Sequence, residues 1–211
     1  TFDVAKTLTR VFPNLKERYY LARRRKVFPG RFAGLQKSTK YLLTQLGPNA
    51  VSRTVSRWIL DRELSQLGLD KARLTLVPHH EAHAASAALT SGWDTALVVT
   101  LDGIGDGLSG SIWEFRDGHL ELTVDIDGRD SLGIFFEHVT NLLNMRELED
   151  EGKVMALASY AYAFDNGDNP LSDLFRSEEL NLRCRLGSLK LRSHLAPFGR
   201  LDPVDQGQVY R

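Results

Sequence analysis

Residues 95–126 constrain the fold more than any other stretch. Residues 95–101 (TALVVTL) form an apolar run rich in β-branched side chains, the composition of a buried strand, and the run ends on Asp102. Residues 111–116 read as a second strand, Asp117-Gly118 as a two-residue hairpin turn, and 120–126 as the returning strand. Strands joined this closely pair antiparallel, because a parallel neighbour needs a long crossover. Between the first two strands, 103–110 is predicted as a glycine-rich loop with Gly103, Gly105, Gly107, Ser109 and Gly110, followed by Ser111.

Glycines let a backbone approach an anion closely and aim N–H groups at phosphate oxygens. This loop is not a Walker sequence, because no Gly-Lys-Ser/Thr leads into a helix, and it is not a dinucleotide turn, because no helix follows directly. A phosphate loop within a β-hairpin is the device of actin-like and sugar-kinase-like ATPases.

The surrounding sequence supplies helices. In residues 1–73, Phe2, Val4, Leu8 and Val11 make a helical stripe that Pro13 interrupts. A second helix is predicted over 32–46, stopping at Gly47-Pro48. A third covers 50–67, with Val51, Val55, Trp58, Ile59, Leu64 and Leu67 near one face and Gly68 as its stop. Residues 74–77 read as a short buried strand before Pro78, and 79–88 as an alanine-rich helix. Residues 132–145 form an amphipathic helix, 149–153 a charged turn, and Val154 begins another helix. Beyond 163 the pattern weakens: a loop at 165–170, then short strands such as 189–191. The fold class is α/β, with a basic helical extension over 1–73 and a core over 74–211.

Charge is segregated although the net charge is zero. Residues 1–75 carry 16 Lys/Arg against 5 Asp/Glu, and residues 76–160 carry 4 against 15. The run Arg23-Arg24-Arg25-Lys26, flanked by Tyr19, Tyr20 and Phe28, accompanies no nucleic-acid motif, so it reads as a solvated face or an attractor of anionic substrate. No apolar run reaches the ~18 residues of a membrane span. The single cysteine, Cys184, fits a reducing cytoplasm. The chain opens at Thr1 without a leader or an initiating Met, which suggests a start that has been cut off.

Three of the six histidines fall within five residues, His79-His80-Glu81-Ala82-His83. His79 and His83, four apart on a helix, share a face and can bind one metal; His80 and His83 could do the same. Asp102 follows 19 residues after His83, at a strand end from which a carboxylate reaches a neighbouring helix start. Two imidazoles and a carboxylate suit Fe(II) or Zn(II) with open positions. The register excludes the metalloprotease H-E-x-x-H pattern, because the residue three beyond Glu81 is Ala84. Glu151-Gly152-Lys153 places a glycine and a cation at a helix N-terminus, where anions are favoured.

Four segments together resemble one family: Val77-Pro78-His79-His80-Glu81-Ala82-His83-Ala84-Ala85-Ser86-Ala87, Val99-Thr100-Leu101-Asp102-Gly103-Ile104-Gly105-Asp106-Gly107, Ser131-Leu132-Gly133-Ile134-Phe135-Phe136 with Thr140, and Gly152-Lys153-Val154-Met155-Ala156-Leu157-Ala158. They are similar to the NodU/CmcH O-carbamoyltransferases, the tobramycin carbamoyltransferase type, whose core domain is Kae1-like. The resemblance implies a partial ribonuclease-H-like (actin-like ATPase) domain. It implies His79, His83 and Asp102 as metal ligands and catalytic residues, with iron as the ion. It implies that Gly103, Gly105, Gly107, Ser109, Gly110, Gly152 and Lys153 hold ATP or carbamoyl-adenylate. The partners implied are carbamoyl phosphate, ATP and a small hydroxyl acceptor, with a YrdC-like domain elsewhere in the polypeptide. That domain, the family's first hairpin and a fourth aspartate ligand have no counterpart in the 211 residues, so the sequence reads as a fragment truncated at both ends that does not turn over alone. Two other readings fit less of this pattern: a nucleotide-binding module of the sugar-kinase kind, which would bind Mg-phosphate rather than a His pair, and a non-catalytic interaction fragment.

Overall fold

The computed structural model describes residues 4–14, 42–160 and 171–200. The basic run at 23–26, most of the helix expected over 32–46, the loop at 165–170 and the residues after 200 lie outside these.

The described residues form a mixed α/β structure with two antiparallel sheets. The larger is a meander of β1 (Thr95–Gly105), β2 (Leu108–Arg116) and β3 (His119–Asp127), in the order β1-β2-β3. The register runs from Thr95 opposite Arg116 to Leu101 opposite Gly110, then resumes at Gly105 opposite Leu108. The expected eight-residue loop is therefore strand nearly throughout, and only Asp106 and Gly107 turn the chain. Their φ values of 55° and 85° are both positive, as a two-residue hairpin turn of the I′ kind requires; Asp117 (49°) and Gly118 (80°) repeat the device. The glycines serve close packing rather than an open loop: a Cβ at Gly110 would lie 2.5 Å from the Thr100 carbonyl oxygen, and one at Gly107 would lie 2.7 Å from the Gly47 Cα. The irregularity between Leu101 and Gly105 takes Asp102, Gly103 and Ile104 out of regular pairing, which frees Asp102 to project from the strand.

The helix His79–Thr90 packs on this sheet. Its buried residues Ala84 and Ala88 sit against Val98 and Phe115, and their small side chains let the helix lie close to the strands. The helix Leu132–Leu142 packs near the Asp102 end of β1. Ser131 caps it by accepting from the Ile134 N–H at 3.0 Å. It ends before the expected Met145 because Asn144 adopts a left-handed φ of 57° just past the helix end. Val139 of this helix, Val154, Leu174, Leu191 and Leu195 form a second apolar cluster.

Several expectations are corrected. Residues 74–77 form no strand; no strand lies beside them among the described residues, and Val77 is exposed. Residues 189–191 belong to the helix Gly187–Leu195, because Leu191 and Leu195, four apart, share the buried face. The charged turn is shorter than expected, since Glu151–Leu157 is already helical and includes Lys153. The helix Ala50–Gln66 exists, with a capping box between Asn49 and Ser52, but only part of its apolar stripe is covered: Val55, Ile59 and Leu64 are half-buried. Val51, Trp58 and Leu67 are exposed, while Ser52 and Ser56 are buried. The Ser56 hydroxyl meets Thr7 Oγ1 of the helix Val4–Val11 at 3.1 Å.

One element was missed, the ribbon β4 (Phe175–Glu178) and β5 (Asn181–Cys184). The buried Asp130 holds it: its carboxylate accepts from the Cys184 N–H at 2.8 Å and from the Arg183 guanidinium at 3.2 Å. Among the described residues no helix is long and apolar enough to cross a membrane.

Candidate metal centre

His79 stands at the first position of its helix and Asp102 in the bulged end of β1. The packing of helix on sheet brings His79 Nε2 to 2.7 Å from Asp102 Oδ2 and to 3.2 Å from His83 Nε2. One donor atom from each of the three residues lies within 4.8 Å of the others. Donors bound to one ion at ~2.0–2.2 Å are themselves roughly 3.0–3.5 Å apart. The two imidazoles already have that spacing, and the His79–Asp102 pair would open by a few tenths of an ångström. The donor set fits a divalent cation of borderline softness, with coordination positions left open.

Burial by itself would raise the Asp102 carboxyl. The hydrogen bonds from His79 and from the Gly103 N–H, with the nearby His79 and His83, outweigh it and hold the group below the ordinary carboxylate range. Asp102 is thus kept as an anion facing two imidazoles.

The pattern of histidines left open whether His79 or His80 partners His83. The structure separates them. His80 is buried and turned to the sheet, where Nε2 donates to the Leu108 carbonyl at 3.1 Å. A carbonyl only accepts, so that nitrogen carries the proton and Nδ1 accepts from the Thr100 hydroxyl at 2.9 Å. Thr100 Oγ1 in turn lies 2.8 Å from Ser111 Oγ and accepts from the Ser111 N–H, and Trp113 Nε1 donates to Ser111 Oγ at 2.6 Å. Burial pushes the His80 imidazole below its ordinary value, as do the neighbouring His79 and His83, against the raising effects of the Leu108 carbonyl and Asp102. His80 is the anchor that fixes which face of the helix meets Asp102.

Other residues shape the same place. The Asp106 carboxylate accepts from the His79 backbone N–H at 2.9 Å. A Cβ at Gly105 would fall 1.9 Å from His79 Cδ2, so this glycine is the seat of the imidazole. Ser131 donates to the Gly103 carbonyl at 2.6 Å, and a Cβ at Gly133 would lie 2.7 Å from the Gly103 Cα, so the helix Leu132–Leu142 starts in contact with the bulge. The Asp-Gly pair at 106–107 signals a hairpin turn and Ser131 signals a helix cap; their reach toward the histidines is visible only in three dimensions.

The residues expected to hold nucleotide fall into two groups. Gly105, Gly107, Ser109 and Gly110 are buried, and the Ser109 hydroxyl donates to the Asp127 carbonyl at 2.8 Å, within the sheet. Gly103 and Gly152 face open space. Lys153 is exposed in the first turn of its helix and pairs with Asp150 at 2.7 Å.

An α/β domain with a His-His-Asp donor set where a helix crosses a bulged strand is a chemical centre in waiting rather than a plain scaffold. Residues 21–190 match the carbamoyltransferase N-terminus family, and the chain belongs to that family. It is 31% identical over 156 residues to an uncharacterized protein of Methanocaldococcus jannaschii, covering 71% of this chain and 29% of that one. It is 39% identical over 82 residues to the nodulation protein NolO of Bradyrhizobium diazoefficiens, covering 39% and 15%. A probable carbamoyltransferase HypF of Methanocaldococcus jannaschii is 37% identical over 68 residues, covering 29% and 9%. The chain thus spans less than a third of the length of these relatives.

Proposed function

We propose that this chain is the metal- and nucleotide-handling part of an ATP-dependent O-carbamoyltransferase. The observation that carries the reading is the convergence of His79, His83 and Asp102 in a chain of a carbamoyltransferase family. In this proposal the fold is the ribonuclease-H-like, actin-like core that the motifs resemble, with 1–73 an extension and 74–211 the core. The chain works within a longer polypeptide, in the cytoplasm. A YrdC-like domain makes carbamoyl-adenylate from carbamoyl phosphate and ATP.

The transfer step joins the acceptor hydroxyl oxygen to the carbamoyl carbon as the bond from that carbon to the AMP oxygen breaks. The hydroxyl proton passes to solvent, and AMP leaves with the bonding pair. A divalent ion, iron in this reading and zinc as the other choice, supplies Lewis-acid polarisation of the carbamoyl or phosphate oxygens. His79, His83 and Asp102 are the groups that would hold it. Gly152 and Lys153, which are exposed, and Gly103, half-buried beside Asp102, offer the direct nucleotide contacts. Gly105, Gly107, Ser109 and Gly110 give the hairpin its shape.

Metal analysis and labelled-substrate kinetics test the proposal. The chain should bind about one Co(II) or Fe(II), and His79→Ala, His83→Ala and Asp102→Ala should each lose it. In an intact carbamoyltransferase carrying this segment, labelled carbamoyl phosphate separates the two steps. Asp102→Ala should slow transfer by ~10²–10³ while adenylate formation continues, the usual cost of losing one charge-stabilising contact. Adenylate formation abolished with transfer from synthetic carbamoyl-adenylate intact would reverse the assignment. Unchanged metal content in all three variants would remove its basis.

A further inference from the structure

The first turn of the histidine helix has an unusual cap. The opening N–H groups of a helix have no partner within it, and a side-chain oxygen at the cap position commonly takes one. Here the cap position is Pro78, which has no such atom. The acceptor comes instead from 27 residues beyond His79: Asp106 Oδ2, at 2.9 Å from the His79 nitrogen. Asp106 reaches it because its own backbone is left-handed, with φ 55°, at the tip of the β1–β2 hairpin. Gly107, beside it, packs on the Gly47 backbone, so the tip is wedged between the 45–47 segment and the helix. The same hairpin arm presents Asp102 to His79 and, through Gly105, the seat of its ring.

We propose that Asp106 is a positioning residue for the metal centre: by holding the His79 backbone it keeps the His79 ring on Gly105 and its Nε2 facing Asp102 and His83. The inference rests on the metal reading of the proposed function and goes beyond it, because Asp106 is not one of the donors. A metal-bound imidazole needs its ring placed to within a few tenths of an ångström, and the first residue of a helix is the one most prone to fray. Beside the His80 anchor, the Asp106 hydrogen bond ties the first residue of the histidine helix to the arm that carries the carboxylate.

Three substitutions separate the possible roles. D106N keeps an acceptor oxygen and suits a left-handed turn, but removes the charge. D106G suits the turn and removes the acceptor. D106E keeps the charge on an arm longer by one methylene. Co(II) titration of the 211-residue chain, followed by visible absorption, reads affinity and ligand geometry; the His79 amide shift and the melting temperature are measured alongside. Expected are a dissociation constant within about threefold of wild type for D106N, and a ~10–100-fold weaker one with an altered Co(II) spectrum for D106G, the range for losing a partner of a metal ligand. D106E should weaken binding too, and it carries the test if D106G does not fold. A plain turn or cap residue would lower the melting temperature of D106G and leave its Co(II) affinity unchanged; that result overturns the inference, as does D106N falling as far as D106G, which would assign the effect to charge. If the wild-type chain binds no Co(II), or His83→Ala binds as well as wild type, the metal reading itself fails and this inference with it. If His83→Ala loses the metal while D106G and D106E keep it, only the role of Asp106 is wrong.

Discussion

Replacing Thr100 with Val should destabilise the chain although it barely changes the volume of the side chain. The Thr100 hydroxyl is the acceptor for the Ser111 N–H, a partner of Ser111 Oγ, and the group that satisfies His80 Nδ1. All of these atoms are buried. Valine leaves them short of partners, and each buried polar group left so costs about 1–3 kcal/mol. Part of the loss is recovered, because Ser111 Oγ keeps the Trp113 donor and valine suits a strand. A net cost of about 2–4 kcal/mol follows, or roughly 5–15 °C in melting temperature at about 2–4 °C per kcal/mol for a chain of this size. Urea unfolding followed by tryptophan fluorescence measures it, since Trp113 is in the network. A double-mutant cycle with His80→Phe should return a coupling above about 1 kcal/mol. A loss under ~0.5 kcal/mol, or additivity in the cycle, would show that His80 is not held through Thr100.

Three further outcomes are expected. Gly105→Ala should drive the His79 ring away by roughly 1.5 Å, because ordinary contacts begin near 3.4 Å and the new Cβ would sit at 1.9 Å, and Co(II) titration should show affinity down at least tenfold; unchanged affinity would contradict the seat. Asp130→Ala should free the β4–β5 ribbon and cost about 1–3 kcal/mol, read by faster amide exchange at Cys184, and equal exchange would show that the ribbon stands without it. Because the folded chain holds the His80 pKa below its unfolded value of about 6.5, the unfolded chain takes up that proton first; stability is full above this pH and is lost as pH falls below it, and an NMR titration should place the His80 midpoint under 6.5, with an ordinary midpoint refuting the burial argument.

The sequence was most legible where periodicity and chemistry agreed. His79 and His83 share a face by helical spacing alone, and an aspartate at the end of an apolar run is a strand-end carboxylate, so their meeting could be expected. Only the resemblance pointed to His79; spacing alone did not choose between His79 and His80, because the choice depends on which side of the helix the sheet buries. That is decided by Thr100 and the Leu108 carbonyl, neither of which marks itself in sequence. The glycine-rich run misled for a related reason. Glycine signals both open turns and close packing, and here Gly105, Gly107 and Gly110 answer to a ring, a neighbouring backbone and a carbonyl. The apolar run at 74–77 imitated a strand but has no partner strand among the described residues. The ribbon at 175–184 gave little alternation to find, and it is held by Asp130 from a distant turn. On the helix Ala50–Gln66, propensity and caps fixed the element and Val55, Ile59 and Leu64 of the stripe are half-buried, while the most buried positions are serines that apolar periodicity passes over.

Among the described residues β1 pairs with β2 alone, so one side of an eleven-residue strand has no strand neighbour. Leu97, Val99 and Leu101 along it are each more than half exposed. Unpaired, apolar edges of this length are where chains stick to one another. Among the described residues the strand that carries Asp102 thus joins an unpaired edge to an exposed apolar face, and self-association through it at high concentration would start within a few residues of the donor set. Turbidity and loss of metal uptake would then be two readings of one event, and light scattering at rising concentration belongs beside any titration of the site.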